Sequence, residues 1–337
     1  MTIEFERSVA EAELKSPLEE FETVTEPVEH RRDPLTGRTA RIVPNVFPEP
    51  EGDVDLDAVV GDGEGCFFCP DSVGDATPEY PDSIGGGRGS RGEATSFPNL
   101  FPYAKHSNVV VLTADHFRPM DELGARRLAD GIACGLEYLA SVAEADDPEF
   151  ASINMNLLRS SGSSVFHPHM QVIAGDHGTD RQTRIARRER EYYGENGTRY
   201  YRDLLDLERS GDRYVGRTGD VEWLTPFAPL GQLHVAGVLG TAGDGLLAPG
   251  SDLVSDLATG IDAVLADYAD RGLNAFNFGL RFAPGEPGSI PVIDVVARAP
   301  FEEHYVNDAF YAQTIHHEGV VDVAPEAHAS ALAERFE

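Results

Sequence analysis

A run of strand, helix, strand and strand occurs twice along this chain, which confines its 337 residues to two domain-sized units or one large duplicated one. In the first copy Ser107 to Thr113 (SNVVVLT) reads as a strand and Met120 to Val142 as an amphipathic helix, with further strands at Ser152 to Leu158 and Met170 to Ala174. In the second copy Leu233 to Leu239 is strand-like, and Ser251 or Asp252 can cap a helix that runs to Arg271 and stops at Gly272. Ala275 to Phe282 and Ile293 to Ala297 then supply two strands. Laying Met170–Ala174 over Ile293–Ala297 sets Pro168 on Pro291, and His167 and His169 on Ile290 and Val292. The second copy keeps the pattern and lacks the imidazoles. Any two chains of this element order align to some extent, so the pattern alone leaves coincidence open.

The segment Gly162-Ser163-Ser164-Val165-Phe166-His167-Pro168-His169-Met170-Gln171 concentrates the chemistry. Residues two apart in an extended chain project to one face, so His167 and His169 present both rings to one pocket. Pro168 restricts the backbone between them. One ring can bind a metal while the other attacks phosphorus. Gly162, Ser163 and Ser164 alone read as a Gly-Ser turn; beside the histidines they read as a phosphate cradle of backbone N–H groups and hydroxyls. A Ser-His hydrolase is the competing use of these residues, but the serines are not in a G-x-S-x-G elbow.

The formal net charge is -31, and Lys15 and Lys105 are the only lysines. The acids are spread rather than clustered, which fits a surface adapted to high salt, where a Debye length of roughly 3 Å at 1 M screens self-repulsion. A polyphosphate backbone would be repelled, so nucleic acid is not an expected partner. No apolar run approaches the roughly 20 residues of a membrane span, and no charged-then-apolar leader opens the chain, so a cytoplasmic protein is expected. Residues 1–29 are acidic and without clear periodicity, and are expected as an extended arm. Cys66 and Cys69 can chelate one ion, form a redox pair, or be adjacent by chance. A redox pair expects a thioredoxin-like strand and helix, whereas Gly61 to Gly65 before the pair and Pro70 after it read as loop.

Five blocks occur in one order over the first half: Arg31-Arg32-Asp33-Pro34-Leu35-Thr36-Gly37-Arg38, Cys66-Phe67-Phe68-Cys69-Pro70, Phe97-Pro98-Asn99-Leu100-Phe101-Pro102, Val109 to His116, and His167-Pro168-His169-Met170-Gln171. Together they resemble the galactose-1-phosphate uridylyltransferase family, a branch of the histidine-triad (HIT) superfamily. The resemblance implies an α+β fold of two HIT-like units, each a mainly antiparallel sheet with flanking helices. Residues 30–210 would carry the zinc knuckle and the reactive histidine, and 211–337 a degenerate copy. It implies that His116 and His167 complete a structural zinc site with Cys66 and Cys69, and that the second copy, without histidines at 290 and 292, lacks a further metal. It also implies a homodimer.

In that family His169 would be the nucleophile toward the α-phosphorus of a nucleoside diphosphate sugar, its other ring nitrogen held by an acceptor such as a backbone carbonyl. Gln171 would donate to the nonbridging phosphate oxygens. Asn99 and Asn156 match nucleotide-contacting asparagines, and Arg31 is a candidate for phosphate. The chain departs from the pattern at Asn307 to Ile315, where hexose-phosphate users carry an aromatic, glycine and glutamate cluster, and at Val43 to Pro48, where a basic motif is replaced. The expected activity is uridylyl transfer between UDP-glucose and a hexose 1-phosphate. The alternatives are a phosphorylase, with inorganic phosphate accepting from a nucleotide sugar or a dinucleoside polyphosphate, and a nucleotide-binding protein without turnover. The remaining histidines, including His234, His304, His316, His317 and His328, show no ligand spacing.

Overall fold

The computed structural model describes residues 2–47, 54–301 and 307–336; Pro48 and His304 lie outside them. In chain order the strands are β1 (Glu6–Lys15), β2 (Thr23–Arg32), β3 (Thr39–Ile42), β4 (Gly89–Arg91), β5 (Ala94–Pro98), β6 (His106–Val111), β7 (Phe150–Leu157), β8 (His169–Gly175), β9 (Tyr214–Thr218), β10 (Val221–Leu224), β11 (Val235–Val238), β12 (Ala275–Phe282), β13 (Val292–Arg298) and β14 (Gly319–Val321). The helices are α1 (Leu56–Val60), α2 (Pro70–Ala76), α3 (Ala125–Ala145), α4 (Asp180–Asn196), α5 (Tyr200–Glu208), α6 (Asp252–Asp270), α7 (Tyr311–Thr314) and α8 (Pro325–Ala333). Among the described residues no helix is long and apolar enough to cross a membrane.

Ten strands form one sheet in the order β4-β5-β6-β8-β7-β12-β13-β11-β10-β9. That order is palindromic about the β7–β12 junction: β8 answers β13, β6 answers β11, and the outer pairs follow. This antiparallel α+β architecture is the duplication that the repeated element order suggested. β8 and β13 begin at His169 and Val292, the residues that the superposed sequences align. The two halves are joined through seven residue pairs, from Phe276 with Leu157 to Phe282 with Ala151.

Alternation along each strand divides the sheet into two faces. Ile153, Met155 and Leu157 of β7, Met170 and Val172 of β8, Phe276, Phe278 and Leu280 of β12, and Ile293 and Val295 of β13 all enter one apolar core. Helices α3 and α6 cover it. The approach is close: a Cβ on Gly131 of α3 would collide with the Leu112 side chain, so a glycine mid-helix, costly by about 1 kcal/mol of propensity, is needed there. The alternate residues, among them Asn154, Asn156, His169 and Gln171, occupy the opposite face. In the second half that face is covered by α4 and α5, whose Ile185, Tyr192, Tyr200, Leu204 and Leu205 pack on Ala236, Val238 and Val292.

The N-terminal segment is more ordered than an acidic composition suggests. β1 and β2 pair over ten residues as a hairpin, from Glu6 with Arg32 to Lys15 with Thr23. Every residue of β1 is exposed. The hairpin joins β3 and β14 in a four-stranded sheet, so the position after residue 29 falls inside a strand.

Candidate active site and metal centre

Four ligand atoms from three segments converge beside β8. The Sγ of Cys66, the Sγ of Cys69 and one ring nitrogen each of His116 and His167 lie within 4.8 Å of one another. Cys66 Sγ is 3.6 Å and Cys69 Sγ 3.7 Å from His167 Nδ1, and Cys69 Sγ is 3.5 Å from His116 Nδ1. Zinc bonds of about 2.3 Å to sulfur and about 2.05 Å to nitrogen, at a tetrahedral angle, set sulfur and nitrogen about 3.6 Å apart. The cluster can therefore hold a metal ion such as zinc. His167 is prepared for it, because its Nε2 lies 2.8 Å from the Thr113 carbonyl. A carbonyl only accepts, so the proton sits on Nε2 and Nδ1 keeps its lone pair. Burial also lowers the His167 pKa to about 4, leaving the ring neutral.

The sequence places both thiols in a loop, and the structure corrects its end. Pro70 opens α2 at the first helical turn and Cys69 is the N-cap, because proline has no N–H to lose there and its φ is already helical. Upstream, the Cys66 N–H donates to Gly63 O at 3.0 Å. Gly63 has φ +83°, and a Cβ on it would come 2.8 Å from the His116 ring. Only glycine satisfies both.

His169 opens β8, two residues past His167, but does not enter the cluster. Its Nδ1 is 2.8 Å from the His167 carbonyl, so Nδ1–H donates and Nε2 carries the lone pair. Burial depresses its pKa, keeping it unprotonated. Phe68, between the two thiols, packs edge-on against it with ring centroids 5.3 Å apart, and reaches Phe97 at 5.6 Å. Phe68 thus walls the ring, a contact that spacing alone did not signal. Gln171 is opposite Val109 on one side and Asn154 on the other, and its side chain has no partner among the described residues.

The turn before the histidines is wound on itself. Leu158 has φ +66° and Gly162 φ +95°. The Gly162 N–H donates to Arg159 O at 2.9 Å and the Ser163 N–H to Leu158 O at 3.1 Å. The Ser163 hydroxyl donates to Val165 O at 2.7 Å. The Gly162 and Ser163 N–H groups and the Ser163 hydroxyl are therefore already engaged, while Ser164 is exposed and has no hydrogen-bond partner among the described residues. Asn156 stands on β7, its Oδ1 accepting from Asn277 Nδ2 at 2.5 Å. Asn99 lies just past β5, where its Oδ1 accepts from the Phe101 N–H at 3.0 Å.

No family model matches the chain. An uncharacterized protein of Archaeoglobus fulgidus is 34% identical over 308 residues, covering 91% of this chain and 92% of that one. The two proteins belong to one family. Among solved structures, an ADP-glucose phosphorylase from Arabidopsis thaliana with bound ADP-glucose superposes with TM-score 0.70 at 16% identity, over 91% of this chain and 99% of that one. A galT-like protein from the same plant gives 0.68 at 16%, over 91% and 98%, and a uridylyltransferase 0.66 at 18%, over 91% and 98%. The fold is that of the galactose-1-phosphate uridylyltransferase-like proteins.

Within this uridylyltransferase-like fold, two further places look chemical and are otherwise employed. Arg31 is not at the cluster: it is buried in the four-stranded sheet's network. It donates to both Glu326 oxygens at 2.9 Å, to Glu29 at 2.7 Å and to Phe227 O at 3.2 Å. Its charge is matched by Glu29, two residues away, and by Glu326, 295 positions away, rather than left free for phosphate. In the second half, a cavity of about 480 Å³ opens on the sheet face that bears Val292 and Asp294, lined also by Arg38, Arg181, Tyr200 and His234. It occupies the place equivalent to that of His169 and Gln171. His234 accepts the Leu230 N–H on Nδ1 and lies 3.0 Å from Asp294 through Nε2, so neither nitrogen can attack. Arg181 pairs with Asp294 at 2.8 Å, and together with His234 it holds that carboxyl well below its usual range despite burial.

Proposed function

We propose that the protein transfers a nucleoside monophosphate between phosphate oxyanions through a covalent intermediate on His169. The observation that carries this is the ring itself: Nδ1–H is committed to the His167 carbonyl, while Nε2 has no partner among the described residues. In the first step the Nε2 lone pair attacks the α-phosphorus of a nucleoside diphosphate hexose. The N–P bond forms, the P–O bond to the β-phosphate breaks, and the hexose 1-phosphate departs with that electron pair. In the second step an acceptor phosphate oxygen attacks the same phosphorus, and the N–P pair returns to Nε2. The Nδ1–H bond to a carbonyl stabilises the positive charge that the ring carries between steps. Gln171 donates to the nonbridging oxygens, a preorganised contact worth roughly 10²–10³ in rate. Asn156 and Ser164 hold the nucleotide, with Asn99 at the edge of the site. Cys66, Cys69, His116 and His167 would hold a zinc ion through four protein ligands, and the ion would supply cross-linking rather than Lewis acidity.

UDP-glucose with galactose 1-phosphate is the first reading of the substrates. ADP-glucose with inorganic phosphate is the second, favoured because Asn307 to Ile315 lacks the sugar-phosphate cluster and because an ADP-glucose phosphorylase shares the fold. A homodimer in the cytoplasm is the expected setting. The test is incubation with radiolabelled UDP-glucose and ADP-glucose, in high salt with zinc. Acid-labile label should appear on the protein and vanish in His169→Asn, which should keep its metal and still bind nucleotide. Nucleotide binding with no label on the wild type would instead make this a binding protein without turnover.

A further inference from the structure

The second half has lost the histidines, yet it sends two side chains into the first. Asn277 of β12 donates through Nδ2 to Asn156 Oδ1 at 2.5 Å and to the Ser161 carbonyl at 2.9 Å. Arg298 of β13 donates through Nη1 to Asn277 Oδ1 at 2.6 Å and to Ser161 O at 3.4 Å. Asp308 takes the remaining side of that guanidinium, at 2.8 and 3.1 Å from Nε, and accepts the Ala299 N–H at 2.8 Å. Asn277 and Asn156 are direct cross-strand partners. Met155 pairs with Met170 across β7 and β8, and continuing that register by one residue sets Asn156 across from His169.

The donors and acceptors in this line allow one orientation. Arginine only donates, so the Asn277 atom facing Arg298 is its carbonyl oxygen and its NH₂ group must face Asn156. Asn156 must then answer with its own oxygen, which leaves its NH₂ group turned away from the second half. That group has no partner among the described residues. Amide orientation is ordinarily assigned by network, and here the network ends in a group that cannot be reversed.

We propose that Arg298 and Asn277, fixed by Asp308, are positioning residues that hold Asn156 as a double N–H donor toward a bound nucleotide's phosphate or carbonyl oxygen, and that anchor the Ser161 carbonyl of the turn ahead of the histidines. The proposal rests on the nucleotidyl-transfer reading and assigns the degenerate half a function in it. Substitution of Asn277 by aspartate tests it. The carboxylate still accepts from Arg298, so the fold is kept, but it cannot donate to Asn156. The Asn156 amide then reverses to donate to Asp, and an oxygen faces the ligand.

The probes are AMP and UMP, titrated into the zinc-loaded full-length protein. Asn277→Asp should raise the Kd of whichever the wild type binds by roughly tenfold to a hundredfold, the range for a hydrogen bond to a charged group. Circular dichroism and bound metal should stay unchanged. In an Asn156→Ala background the same substitution should have a much smaller further effect, only what the lost bond to the Ser161 carbonyl contributes, because its main influence passes through that amide. Arg298→Lys should recover part of the affinity lost in Arg298→Ala. Equal affinity in Asn277→Asp and wild type, or losses that simply add in the double variant, would overturn the relay while leaving nucleotidyl transfer standing. A wild type that neither binds these nucleotides nor takes label on His169 would overturn both.

Discussion

At the residue scale, what distinguishes His169 from the other described histidines is that one ring nitrogen is satisfied by the backbone carbonyl two residues before it and the other has no partner among the described residues. The alternation that puts His167 and His169 on one face is written into the sequence. That the carbonyl of one fixes the tautomer of the other appears only in the structure, where His167 and Pro168 precede β8. Glu189 shows the opposite case, a residue that gave no signal in the sequence. It lies in α4 fully buried, with one carboxylate oxygen unpartnered. Burial raises its pKa to about 7, against an opposing pull from Arg281. Between the ordinary glutamate value and about 7 the folded protein holds a proton that the unfolded chain releases. Stability therefore falls as pH rises through that window, by about 3 kcal/mol in all. Glu189→Gln is expected to flatten this slope, being most stabilising, relative to wild type, at pH 8. Urea unfolding of both proteins at pH 5 and pH 8 checks it, and an equal difference at the two pH values would refute it.

At the scale of elements, β8 is fastened at its start to the knuckle between α1 and α2. Removing the metal should free that knuckle. A zinc ion held there, with free zinc at about a thousandfold over Kd, would contribute about 4 kcal/mol, so chelation should lower the melting temperature clearly and make backbone amides of 61–76 exchange faster. Unchanged exchange in this segment after complete metal removal would show that the cluster does not pin it. Gly63→Ala should reproduce part of the effect with zinc present, at a cost of about 1–3 kcal/mol, because the added carbon meets the His116 ring in a left-handed backbone. A melting curve of this variant that matches wild type would show that the loop yields there. The C-x-x-C spacing made this site visible in sequence, and the turn at Gly162 was visible too. Its donors were not, since hydrogen bonds that a turn makes with itself depend on φ and ψ, which residue type only biases.

At the scale of the molecule, a formal charge of -31 acts on everything at once. Most described arginines already sit against a carboxylate, as in Arg209 with Glu222 at 2.7 Å and Arg213 with Glu208 at 2.7 Å, so the excess acids repel one another across the surface. Screening weakens the exposed pairs, each worth at most about 1 kcal/mol, but relieves a far larger number of repulsions. The melting temperature should rise between 0.1 and about 2 M sodium chloride, and a fall would show that the surface pairs dominate. The sequence alone determined what is local or periodic: the twofold element order, the face shared by His167 and His169, the cysteine spacing, and the charge. These follow from chain geometry within a few residues. Only the tertiary structure decided which groups spend their hydrogen bonds on each other. Arg31 meets Glu326, 295 positions away. The halves fuse through β7 and β12, and the amide of Asn156 is turned by residues from a copy that has lost the chemistry. Such pairings join segments whose separation along the chain carries no signal, because they are set by the packing of one sheet and by the need of every buried donor for an acceptor.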